Sequence, residues 1–401
     1  MIIYQALTRK IVQIRKTIYN FIDGSTSKGR LYWLIIIIAV LLLKTLFLPI
    51  KLGDYNTYLG PWVEFIKNNG YFASLRYDFY NYSPSYIYIL ILIAKTGLNS
   101  LYMIKIISIL FEFVLALYVG KILFLKTKIQ MLYWLSAAIL PLIPTVFLNG
   151  AYWGQCDSIY TTFVVVGIYY SLINKHFISV VLLAVAIAFK AQAVFILPYY
   201  FTLLLFGKTK WYYFLTIPIV YFISIMPAWL NGRYLTDLFS IYLNQSDYYQ
   251  SLTMFMPNIY VWIQDADYST FKLVGIITTT ALTIFSSIYL KYKNFELNID
   301  NLILLAFASV IFTPFILPGM HERYLYLGDV LAFIFLLWSK NNSRIPFAIW
   351  TVSFYAYISC SRLKEFLPLW PAFFVYLTAI ILVLNQIKCR INQGKINYHP
   401  N

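Results

Sequence analysis

Apolar residues along this chain come in long unbroken runs, separated by short polar segments. The runs approach the roughly 20 residues that a helix needs to cross a bilayer. They predict full crossings at about 31–49, 101–123, 131–149, 156–173, 211–229, 271–290, 301–317, 324–338, 345–360 and 367–387. Two apolar stretches break the pattern. Residues 84–97 are short and open on Pro84-Ser85-Tyr86-Ile87, so they predict a half-helix or juxtamembrane helix on the outer face. A full crossing there would force the following basic loop, with Lys126 and Lys128, to the outside. Residues 177–206 hold two short runs joined at Lys190-Ala191-Gln192. They predict a broken hairpin that enters and leaves from the inside, a form tolerated at membrane depth only where protein or a cavity surrounds it.

Ahead of the first run, Ile3, Leu7, Ile11, Ile14, Ile18 and Ile22 recur at helical spacing among Arg9, Lys10, Arg15 and Lys16. That pattern predicts a basic amphipathic helix on the membrane surface over residues 1–30. The 31–49 run is long and has no small-residue cleavage site, so a cleaved leader is not expected. A single transmembrane domain over 31–390, with an external loop at 51–100, and a cytoplasmic tail at 391–401 complete the expected layout.

Composition agrees with an all-α polytopic membrane protein. The 401 residues are 61% hydrophobic, 20% aromatic and 11% charged, with a mean hydropathy of +0.71. Soluble proteins of this size do not have such values. Three cysteines (Cys156, Cys360, Cys389) without metal-type spacing give neither a disulfide framework nor a zinc site. The net charge of +16 comes from Lys and Arg gathered in alternate loops, which is a topology signal rather than a nucleic-acid one. It places both termini on the cytoplasmic side of a cell membrane. Acidic residues fall mostly on the other side: Asp54, Glu64, Asp78, Asp157, Asp237, Asp247, Asp265, Asp267, Glu322 and Glu365.

Three polar clusters share that outer face. Pro318-Gly319-Met320-His321-Glu322-Arg323-Tyr324 puts a base, an acid and a cation between two apolar runs. Ionisable side chains are costly there and mark a place where charge must be held, although a Glu322–Arg323 bridge at a helix end is the plainer reading. The first external loop carries Gly53-Asp54-Tyr55-Asn56-Thr57-Tyr58, Trp62 and Asn81-Tyr82-Ser83-Pro84. Asp54 is either a helix cap or a reactive carboxylate. Trp153-Gly154-Gln155-Cys156-Asp157-Ser158 offers a stacking ring, an amide and a carboxylate, which suit sugar hydroxyls; Asp157 also fits a helix-start position. Lys190, inside an apolar hairpin, must either snorkel or meet an anion.

Carboxylates at one end and the cations Lys190 and Arg323 at the other match glycosyl transfer from a lipid phosphate. A carboxylate takes the acceptor's proton, and cations stabilise the departing phosphate, with Arg suited to bidentate contact. Asp54, Asp157 and Glu322 are also the set that would share a divalent cation, if one is used.

The order of these features resembles the GT-C superfamily of integral-membrane glycosyltransferases, especially bacterial proteins related to eukaryotic GPI mannosyltransferases. The resemblance rests on Gly53-Asp54 with Tyr58 and Trp62, Tyr82-Ser83-Pro84, Trp153-Gly154-Gln155-Cys156-Asp157-Ser158, Phe189-Lys190-Ala191-Gln192 with Leu197-Pro198, and Met320-His321-Glu322-Arg323-Tyr324. It covers about residues 31–340. It implies a GT-C-like bundle and an extracytoplasmic site that moves a mannose-like or other hexose, with inversion, from a polyprenyl-phosphate donor to a lipid-linked or cell-envelope glycan acceptor. Asp54 would be the catalytic base. Lys190 and Arg323 would hold the donor phosphate, while Trp153, Gln155, Asp157, His321, Glu322, Tyr58 and Tyr82 would line the sugar and acceptor sites. Many relatives carry a soluble domain after the last span, where this sequence has a short basic tail, so the acceptor is expected to be small or lipid-linked.

Two rival readings are a polyprenyl-linked glycan flippase or transporter and an envelope polysaccharide polymerase. A transporter would favour internal repeats and charges at mid-membrane, whereas these charges are expected at the outer rim. A polymerase would favour an arginine-rich external loop, and residues 230–270 contain only Arg233.

Overall fold

Helices dominate the computed structural model, which describes residues 26–339, 343–360 and 367–396. The expected surface helix at 1–25 and the tail at 397–401 lie outside the described residues. The parts of those two segments that are described belong to longer helices. Lys28 and Arg30 sit in the first turn of α1 (Ser27–Thr45), and residues 391–396 continue the last helix.

In chain order follow α2 (Gly60–Asn68), α3 (Pro84–Thr96), α4 (Ser100–Thr127), α5 (Met131–Ile139), α6 (Pro144–Phe147), α7 (Asp157–Leu172) and α8 (His176–Phe189). After them come α9 (Leu197–Leu205), α10 (Thr216–Leu230), α11 (Leu235–Asp247), α12 (Tyr268–Tyr292), α13 (Ile299–Ile316), α14 (Tyr326–Trp338), α15 (Arg344–Ser359) and α16 (Trp370–Ile396). One two-stranded parallel pair, β1 (Thr253–Met254) with β2 (Met320–His321), ties two loops together.

Local chemistry sets many of the helix ends. Asn99, Asp267 and Asn298 cap α4, α12 and α13 by accepting backbone N–H bonds from Tyr102, Thr270 and Asn301. Pro84 starts α3, and Gly97, at φ +71°, ends it in the left-handed region.

Among the described residues, five helical segments are long and apolar enough to cross a membrane: α4, Trp211–Leu230, α12, α13, and Trp370–Gln393 within α16. A sixth is Met131–Leu142 with Pro144–Trp153, bent by 65°. The chain is therefore an all-α polytopic membrane protein. The expected ten full-length crossings are not matched in full. The runs at 156–173, 324–338 and 345–360 fold as helices of 16, 13 and 16 residues, and α1 carries Lys28, Arg30 and Lys44 within 19. Residues 84–97 form the expected short helix, α3.

α13 is the central helix, buried on all sides, whereas α12 lies at the periphery and exposes Leu273, Ile277 and Phe285. α7 packs against α4 and α8, and α15 packs between α14 and α16.

The bundle has two distinct poles. At one, Lys126 pairs with Asp300 at 3.0 Å and donates to the Trp338 carbonyl. Lys291 donates to the Leu205 carbonyl, and Arg390 to Asn301. The opposite ends of α4, α12, α13 and α14, at Ser100, Tyr268, Leu317 and Tyr326, lie with Asp157 near the three polar clusters. The segment 176–205 has the expected hairpin form. Lys190 sits at its extended apex (φ −155°, ψ 133°), and Phe177 packs edge-on to Tyr213 where the chain has returned to the basic pole. The two limbs diverge, α8 packing on α7 and α9 on α12 and α13.

The expectation that charges lie only at the rim needs correction. Lys44, Lys105, Glu112 and Asp329 are wholly buried. Each is held by the protein: Lys44 with Glu112 at 2.5 Å, Asp329 by the Thr145 and Ser353 hydroxyls, and Lys105 by three carbonyls. None of the four lines the main cavity.

Candidate functional site

At the pole opposite the basic residues lies a cavity of about 520 Å³. Of the residues expected from sequence, Asp54, Tyr58, Tyr82, Trp153, Gln155, Lys190, His321, Glu322 and Arg323 line it. Asp157 does not. It lies just beneath, 1% exposed, bonded to Lys190 at 2.5 Å and to the Asn149 amide at 2.8 Å. The anion that Lys190 meets is thus Asp157, so most of its charge is already balanced.

Asp54 follows the turn that ends α1. Its backbone is helical and its side chain makes no capping bond, so the helix-cap reading does not hold. Its Oδ2 instead accepts a hydrogen bond from Gln155 Nε2. Gln155 is brought there by Gly154, whose φ of +78° lets the chain turn from the π-helical segment Leu148–Trp153 toward α7. Asp157, too, makes no cap; it sits in the first turn of α7 facing Lys190.

Aromatic rings line the wall beside Asp54. Trp62 packs edge-on to Tyr82 at 5.4 Å, Tyr58 lies 5.9 Å from Trp62, and Trp153 packs on Tyr357 at 5.5 Å. Such faces suit the C–H side of a sugar ring. The break at Lys190 frees carbonyls at the end of α8, and Ser83 and Tyr242 hydroxyls donate to those of Ala188 and Ile187.

The His321 cluster forms the facing wall. Arg323 Nη1 donates to Glu322 Oε1 at 2.6 Å, and His321 Nδ1 lies 3.6 Å from Glu322 Oε2. The helix-end bridge expected as the plainer reading is therefore present, yet Arg323 also lines the cavity. Its buried Nε has no hydrogen-bond partner among the described residues. Burial alone would raise the Glu322 carboxyl, but the Arg323 charge and the His321 contact prevail and hold it at about 2. Burial pushes His321 below its ordinary value, with Glu322 opposing and Arg323 adding, so the imidazole is neutral at pH 7. Desolvation raises the half-buried Tyr82 to about 12.

The sequence reading missed the wall built by residues 242–276. Tyr249 donates to or accepts from Tyr58 at 3.0 Å and packs on His321 at 5.4 Å. Lys272 reaches Asp247 at 2.6 Å and Ser246 at 2.8 Å, and Ile276, one turn further along α12, completes the wall. Pairing of β1 with β2 fixes this segment against His321. The abundance of Tyr at 242–249 was the available signal, but it resembles an interfacial belt. Gln192, Asn81 and Cys360 also line the cavity.

No three His, Cys, Asp or Glu side chains among the described residues gather as metal ligands. Asp54, Asp157 and Glu322 accordingly do not form the shared cation site considered from sequence; Lys190 pairs with Asp157 and Arg323 with Glu322. In comparisons with known proteins, no family model, no curated protein and no solved structure matches this chain.

Proposed function

We propose that this protein is a membrane glycosyltransferase that moves a hexose from a polyprenyl-phosphate donor to a lipid-linked or cell-envelope acceptor. The observation that carries the reading is the cavity's polarity. The Asp54 carboxylate, oriented by Gln155, shares an aromatic chamber with Arg323, a cation with a spare buried donor. In the proposed step, Asp54 accepts the proton of an acceptor hydroxyl while that oxygen bonds to the anomeric carbon. The bond from that carbon to the phosphate oxygen breaks, and the electron pair leaves with the polyprenyl phosphate. Arg323 stabilises the growing phosphate charge.

Lys190 contributes less direct charge than the sequence reading gave it, because Asp157 pairs with it. Lys272 is the more available second cation, since its partner Asp247 is 51% exposed and such pairs open at little cost. It stands beside Ile276, next to the exposed apolar face of α12, which gives a lipid chain a route out of the cavity. The basic pole would be cytoplasmic by the positive-inside rule, and the cavity extracytoplasmic. Ten crossings, some by short helices, and a GT-C-like bundle belong to the same proposal.

The test is purified protein in detergent with polyprenyl-phosphate sugars and candidate acceptors, following labelled sugar. Transfer that depends on Asp54 supports the reading. Movement of intact lipid across vesicles, with no new glycosidic bond, would point to a transporter instead.

A further inference from the structure

We infer that Lys105 is a positioning residue that sets the geometry of the Asp54 carboxylate from beneath the cavity. Lys105 is wholly buried on α4 and does not line the cavity. Its ammonium donates to three carbonyls: Phe47 at 2.8 Å, Ile50 at 2.7 Å and Tyr152 at 2.9 Å. The first two belong to the turns that end α1, and Tyr152 to the last turn of the segment Leu148–Trp153. One cation therefore satisfies the negative ends of two helical segments at once.

Each segment leads directly to one half of the site. Asp54 lies four residues beyond Ile50, and Gln155 three beyond Tyr152, and the two side chains hydrogen-bond to each other. The result is a closed ring: Lys105, the 50–54 loop, the Asp54–Gln155 bond, and the 152–155 loop back to Lys105. One turn along α4, Ser108 donates to the Gln155 carbonyl at 2.6 Å and tightens the same ring. Gly154 packs over the Lys105 stem, where an added Cβ would meet Cγ at 3.4 Å. The three bonds use all three donors of the buried ammonium, and they tie together loops about 100 residues apart in sequence (Gln155 and Asp54 differ by 101).

This inference rests on the reading of Asp54 as the base. The experiment uses the full-length protein with Lys105→Met, which keeps the stem and removes the donors, and the milder Ser108→Ala. Misplacement on the ångström scale costs on the order of 10²-fold in rate. Lys105→Met should therefore lower kcat by about 10–100-fold, leave the donor KM within about threefold, and cost far less when Asp54 is already Asn. Ser108→Ala should move kcat in the same direction by a smaller factor. Hydrogen exchange should speed up together in residues 47–56 and 150–156. Equal losses of kcat in both Asp54 backgrounds, or unchanged exchange in either loop, would overturn the positioning role. Failure of the base reading looks different: Asp54→Asn alone would retain transfer, while the two loops would still loosen together in Lys105→Met.

Discussion

Lys190 and Asp157, 33 residues apart in sequence, form an ion pair of 2.5 Å in which the side chains are 5% and 1% exposed. The pair joins the apex of the broken hairpin to the first turn of α7. It also places the Lys190 ammonium 5.7 Å from the Tyr82 ring, which lines the cavity with it.

Breaking that pair from one side should be costly. Lys190→Met leaves a buried carboxylate without its counter-ion, a loss of about 3–5 kcal/mol. Lys190→Met with Asp157→Leu should regain most of it. The measurement is the thermal unfolding midpoint in detergent. Equal midpoints for the single and double variants would mean the pair is not coupled as the geometry indicates.

Asp54→Asn should lower transfer by about 10²–10⁴-fold, the range for a positioned base, while leaving donor binding close to wild type. The change preserves shape and removes the basic oxygen. Wild-type rates in this variant would remove Asp54 from the chemistry.

Arg323→Lys keeps the charge but loses the planar fork and its Nε donor. Donor affinity and turnover should both fall, whereas Lys272→Met should weaken donor affinity alone. Titration of the donor against each purified variant separates these outcomes.

Stability should respond to pH through His321. Because burial lowers its pKa, the unfolded chain binds the proton first. Its contribution is whole above the ordinary value of 6.5 and is lost as pH falls below that. Glu322 has the same sign at lower pH: its contribution is full above 4.5 and lost as pH falls toward about 2. The unfolding midpoint should thus drop as pH falls below 6.5, and His321→Asn should flatten that drop. An undiminished drop would assign the proton to another group, with His176 next in line.

Accessibility labelling of single-cysteine variants in intact cells checks the orientation of the poles. A membrane-impermeant thiol reagent should modify Gln250→Cys, at the cavity wall, and spare Lys128→Cys, beyond the end of α4. Efficient labelling of Lys128→Cys would invert the proposed topology.

Hydrophobic run lengths by themselves determined the class of this protein, the short helix at Pro84 and the break at Lys190. These are local properties. A backbone in lipid must satisfy its own polar groups, so apolar runs become helices whatever surrounds them. A lysine flanked by apolar residues marks a break or a burial wherever it occurs.

The pairings were decided only by the tertiary structure. Hydropathy counts Asp54 and Asp157 alike, yet packing turns the first into the cavity and the second beneath it against Lys190. It counts Lys105 and Glu112 simply as flaws in an apolar helix, yet one binds three carbonyls and the other pairs with Lys44. The wall at 242–276 was illegible for the same reason. Tyr249 and Lys272 acquire their place only when β1 pairs with β2 and α12 closes against α13, contacts between segments that carry no mark of each other in the sequence. A buried charge is affordable only with a partner, and the partner is chosen by three-dimensional packing rather than by sequence neighbourhood.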